Sequence, residues 1–115
     1  MALVSAQRLV SVTAERAALV CSAAWAAVVD HGAGQVHWRT GETPNDEWLA
    51  AFVHGTRSSD LVVGADGGPD DVVWAPLGDT AVVIGRESHP FRSRERRRFL
   101  ALVRIADARL RQLAG

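Results

Sequence analysis

The chain has no lysine, no tyrosine and one cysteine, and it has no apolar run near the length of a membrane span. The lone Cys21 excludes an internal disulfide and any multi-cysteine zinc site. A spanning helix needs about 20 predominantly apolar residues, which no stretch supplies. Met1 opens into a mixed apolar and polar segment without signal-peptide architecture, so the expected location is cytoplasmic. Formal net charge is zero, which gives no overall drive toward nucleic acid or acidic membranes. Catalytic signatures are missing too. Ser22, Ser88 and Cys21 sit in no nucleophile motif, and no paired carboxylates stand in an apolar setting. The acidic, glycine-rich stretch Ala65 to Asp71 lacks the lysine of a phosphate loop and the spacing of a calcium loop. No catalytic residue, metal ligand or cofactor is therefore assigned, and the chain is not expected to be an enzyme.

What is present is a folded-domain composition. With 115 residues, 48% of them hydrophobic, the chain suits a single domain over residues 1–115. Its charges are bipolar along the sequence. From Gly41 to Thr80 they are acidic apart from Arg57, and from Arg86 onward arginine dominates.

Period and punctuation predict the elements. Ala6, Val10, Thr13, Ala17 and Val20 recur at helical spacing over Ala2 to about Ala23, with Leu9, Val12 and Leu19 as a second apolar line. Ala24 to Asp30 alternates as a strand apolar on both faces, hence central. His31 to Gly34 is a glycine-bearing hairpin turn, and Gln35 to Arg39 is the return strand. There Val36 and Trp38 are expected on one face, with Gln35, His37 and Arg39 on the other. Thr43, as N-cap, and Pro44 start a short helix that Gly55 should end. Leu61-Val62-Val63, Val72 to Leu77 and Thr80 to Arg86 read as strands, and Ser93 is the expected N-cap of a long helix from Arg94 to about Leu113. The predicted fold class is α+β: an antiparallel sheet of about five strands, with long N- and C-terminal helices on one face and a short helix elsewhere.

On the last helix Phe99, Val103, Ala106, Leu110 and Leu113 form one apolar line, flanked by Leu102 and Ile105. Two wide apolar helices should lie side by side on the sheet. A strip left over would be a homodimer seam, for which Val10, Ala17, Leu102, Val103 and Leu110 are the candidates. The alternative is that both lines are buried within one chain.

Trp74-Ala75-Pro76-Leu77-Gly78, Ala81 to Arg86, Pro90-Phe91 and Arg94-Glu95-Arg96 ahead of Phe99 resemble a GAF domain, as does the order of elements. The resemblance implies a GAF/PAS-like sensory or regulatory module, commonly dimeric, with a small-molecule pocket on the sheet face opposite the terminal helices. Nothing in the chain matches the cyclic-nucleotide, bilin or reductase variants of that family, so its cofactor stays unassigned. Such a pocket would draw on His37, Arg39, Trp48 and Trp74. A solvated strand face and ordinary tryptophan packing are the plainer alternatives. The dense Arg92 to Arg98 patch suggests an acidic protein partner. Nucleic acid is disfavoured by the zero net charge and the interleaved Glu87 and Glu95. The expected function is non-catalytic: a GAF-like module that binds a small molecule or partner and signals through its terminal helices. The alternative is a ligand-free scaffold for dimerisation or protein–protein interaction.

Overall fold

The computed structural model describes residues 2–58, 71–87 and 89–114. The elements run α1 (Ala2–Val20), β1 (Trp25–Asp30), β2 (Val36–Gly41), α2 (Asp46–Ser58), β3 (Val72–Leu77), β4 (Thr80–Gly85) and α3 (Ser93–Ala114). Among the described residues the sheet has four strands in the order β2-β1-β4-β3, every neighbouring pair antiparallel. This corrects the expectation of about five strands. The strand expected at Leu61-Val62-Val63 lies outside the described residues, as does all but the last residue of the Ala65 to Asp71 loop.

Strand alternation sorts the core into two layers. Ala26, Val28, Val73, Ala75, Leu77, Val82 and Ile84 point to the face covered by α1 and α3, which add Ala14, Ala17, Phe99 and Val103. Trp25, Ala27, Val29, Val72, Trp74, Ala81 and Val83 point to the other face, where α2 adds Leu49 and Val53. β1 and β4 are apolar on both sides because they lie between the two layers. The β3–β4 hairpin closes on Gly78-Asp79, with Gly78 at φ 61°, the geometry a two-residue turn needs at its first position.

Helix ends are set by local hydrogen bonds. At the end of α1 the Ala23 N–H donates to Ala18 O at 2.8 Å and the Ser22 N–H to Leu19 O at 3.3 Å, with Ser22 at φ 54°. That is a Schellman closure built on serine instead of the usual glycine. α2 is capped by Asn45, whose Oδ1 accepts from the Trp48 N–H at 2.8 Å, not by the expected Thr43. Gly55 falls inside α2 instead of ending it.

Gly85 pairs with Trp25 across the sheet, and the Trp25 indole occupies the space a Cβ would take there. Trp25 is itself buried among rigid neighbours, so the ring has nowhere to go. Gly85→Ala should therefore destabilise the chain by about 2–3 kcal/mol, an overpacking cost. Urea unfolding followed by tryptophan emission reads it, and a midpoint equal to wild type would show that the ring yields.

Candidate functional site

The candidate ligand residues on and beside β2 are separated by a β-bulge. Val29 pairs with Val36 and Val28 with Trp38, so His37 is the extra residue. Val36 consequently packs on the α2 side and Trp38 on the α1/α3 side, not on one face as alternation alone implied. His37 Nε2 lies 3.3 Å from Asp30 Oδ2. Asp30 also accepts the Gly32 and Ala33 N–H groups at 2.7 and 2.9 Å, closing the hairpin turn. Those bonds, the Ala33 N–H foremost and the His37 ring next, hold the Asp30 carboxyl below its usual range. Arg39 turns toward α2 and contacts Asp46 Oδ1 at 2.5 Å. Trp48 is exposed on α2, stacked on Phe52 with ring centroids 5.2 Å apart. Trp74 is buried in the α2-side core. The four residues thus occupy four different settings, and neither of the two clefts described below is lined by more than one of them.

His37 does border a cleft, on the α1/α3 side. It measures about 1090 Å³ and opens between the first half of α1, the last half of α3 and the sheet. Val10, Val28, Trp38, Leu77 and Leu110 contribute apolar surface, and Gln7, Ser11, Asp107 and Arg111 contribute polar groups. Asp107 is held by Arg111 at 2.9 Å and accepts the Gly78 N–H at 3.0 Å, so it ties α3 to the β3–β4 turn.

Of the candidate seam residues, Ala17 and Val103 are buried between the helices and the sheet, whereas Val10, Leu102 and Leu110 are half-buried at the edge of that core. The outward line of the helical layer is a different one. Leu19 is 75% exposed and Ile105 71%, with Val12 at 43%. α1 and α3 run antiparallel, since Cys21 lies by Glu95 while Ala6 and Val10 share a cleft with Leu110. The signal for these residues was the second apolar line on each helix. A helical period alone does not say which of two adjacent lines meets the sheet.

At the other end of the layer, Arg86 leaves β4 and joins three elements. Its guanidinium donates to both carboxylate oxygens of Glu95, to the Cys21 carbonyl at the end of α1, and to Pro90 O at 3.2 Å, and it lies 4.3 Å over the Phe91 ring. Glu95 also accepts the Arg92 N–H at 3.0 Å, a capping interaction at the start of α3. The Arg86 side-chain bond, then the Arg92 N–H, hold the Glu95 carboxyl down at about 2. Cys21 is buried in the core, and that burial pushes its thiol up, with the Glu95 charge adding to it. A second cleft of about 960 Å³ opens here, lined by Arg86, Arg92, Arg94 and Arg97 with Glu87 and Glu95. Among the described residues no group of three His, Cys, Asp or Glu side chains could hold a metal ion. None of their helices is long and apolar enough to cross a membrane.

No family model and no curated protein matches the chain. Among solved structures it is similar to Myxococcus xanthus MglB, at 16% identity and a TM-score of 0.47, over 86% of this chain and 85% of that one. The GAF/PAS-like resemblance and the sensory role it implied are corrected on the fold itself: among the described residues the sheet has four strands in the order β2-β1-β4-β3, and Leu49 and Val53 of α2 pack into the face where the resemblance placed a pocket.

Proposed function

We propose that the chain is a non-catalytic regulatory module that acts by protein association, copies of it pairing through the outer faces of α1 and α3. The observation that carries this reading is the exposure of Leu19 and Ile105, large apolar side chains on the outside of the two longest helices. Fully burying such a side chain is worth about 2 kcal/mol, so the four of a dimer offer about 8 kcal/mol before association costs. Val12 and the edge of Leu9 add to that. Association itself costs at least about 4 kcal/mol, so a homodimer of micromolar affinity needs the flanking apolar surface, with Val12 and Val20 at 43% and 42% exposed, to supply about as much again. The ionic pairs point the same way: Arg86–Glu95, Arg39–Asp46 and His37–Asp30 tie elements together instead of converging on a reacting centre.

The test is the variant Leu19→Glu/Ile105→Glu, which touches only exposed positions. Its circular dichroism should match wild type, while association weakens by at least a hundredfold, about 3 kcal/mol. Light scattering showing the variant as dimeric as wild type would refute the reading.

One observation favours a second reading, a small-molecule site: the cleft floored by Trp38 and bordered by His37. Native mass spectrometry of the purified chain checks it, since a bound compound would appear as added mass that disappears on denaturation.

A further inference from the structure

We propose that the arginine-lined cleft at the start of α3 is a docking site for an extended acidic segment of a partner protein. This surface is separate from the outer helical face through which copies are proposed to pair. Arg86, Arg92, Arg94 and Arg97 line it against Glu87 and Glu95, leaving a surplus of two positive charges. Glu95 is already occupied by Arg86 and the Arg92 N–H, so its charge does not neutralise the outer arginines. Arg92, Arg94 and Arg97 are exposed, and among the described residues their guanidinium groups have no carboxylate partner. They also crowd the N-terminal end of a 22-residue helix, where the macrodipole is positive and disfavours cations. An anionic partner relieves both repulsions.

The chemistry of the cleft favours carboxylates on a peptide. Arginine presents a planar fork that binds carboxylate through two parallel hydrogen bonds. Arg94 and Arg97 lie about one helical turn apart, a rise near 5 Å, and alternate side chains of an extended peptide are about 6.5 Å apart. No tryptophan or phenylalanine lines it to stack a base, and Phe91 is covered by Arg86, so single-stranded nucleic acid lacks its usual platform.

The experiment uses the full chain and a fluorescein-labelled, glutamate-rich peptide of about twelve residues, read by anisotropy at about 50 mM salt. The same peptide with serine in place of glutamate is the control. The account predicts binding of the acidic peptide only. It also predicts at least a tenfold loss for Arg94→Glu/Arg97→Glu and a marked loss at about 300 mM salt, where exposed charges are screened. Arg94→Gln/Arg97→Gln, a gentler change, should lose about threefold with circular dichroism unchanged. Three results would overturn the proposal. They are no binding by wild type, equal binding by the serine peptide or the glutamine variant, and displacement of the peptide by a single-stranded oligonucleotide that binds more tightly.

Discussion

Arg86→Ala is expected to destabilise the chain by about 3 kcal/mol, the loss associated with breaking a largely buried ion pair, reduced for partial solvent access. The side chain of Arg86 is 13% exposed and that of Glu95 26%. Alanine would leave the Glu95 carboxylate without its guanidinium and the Cys21 and Pro90 carbonyls without a donor. The Cys21 carbonyl is one of the unpaired groups at the end of α1, so this one side chain closes α1 and, through Glu95, which caps α3, anchors both helices to β4. A melting temperature lower by roughly 10 °C or more is expected for a domain of this size. Acid should expose the same pair. The unfolded carboxyl titrates near 4.5, and in the folded chain Glu95 is held at about 2. A depressed folded-state value means that the contribution is present above the unfolded value and is lost as pH falls from about 5 toward 2. Water reaching the carboxylate reduces it to about 1–2 kcal/mol. Urea midpoints of wild type and Glu95→Gln at pH 7 and pH 3 settle the attribution: wild type should lose more stability than the variant, and parallel losses would assign the acid sensitivity elsewhere.

Phe99→Ala is expected to cost about 4 kcal/mol, toward the upper part of the range for emptying a core aromatic. Phe99 has no exposed surface and lies in the core between α3, α1 and the sheet. The facing side of α1 is Ala14, Ala17 and Ala18, and such small side chains cannot swing in to fill the void. Ile105, six residues along the same helix, gives the contrast. It is 71% exposed, so Ile105→Ala should change monomer stability by less than about 0.5 kcal/mol. Denaturant unfolding of the two variants side by side is the check, and similar losses for both would mean that α3 is rotated from the orientation described.

Much of the architecture was legible because it is local. β1, β3 and β4 announce themselves through alternation and turn residues, and their observed limits fall within a residue of those read from the sequence. α1 and α3 follow from apolar lines sustained over several turns. The misses share a physical cause: each depends on a group that pattern does not encode. The bulge at His37 shifts a register that period two cannot see, and it sends Val36 and Trp38 to opposite faces. Asn45 and Thr43 are both good caps, and only the bond to the Trp48 N–H chooses between them. The end of α1 carries no glycine, because Ser22 adopts the left-handed conformation instead. The residues behind the GAF resemblance describe a strand, a two-residue turn and a second strand, then a short connection and the first turns of a helix, which are β3–β4 and the start of α3. A hairpin of that kind suits many antiparallel sheets and does not determine how many strands surround it. The functional residues were hardest to read. Arg86 acts through Cys21, Pro90 and Glu95, which are brought to it by three different elements. The proposed association face turns on which of two parallel apolar lines rests on the sheet.

The helical layer is proposed to keep an outer apolar face, marked by Leu19 and Ile105, for a second copy of the chain. Equilibrium sedimentation of the wild-type chain from roughly 1 to 100 µM tests it most directly, since a micromolar affinity moves through its transition in that window. The account predicts a mass that rises with concentration from 12.4 kDa to about twice that value. A mass that stays at 12.4 kDa across the whole range would contradict it.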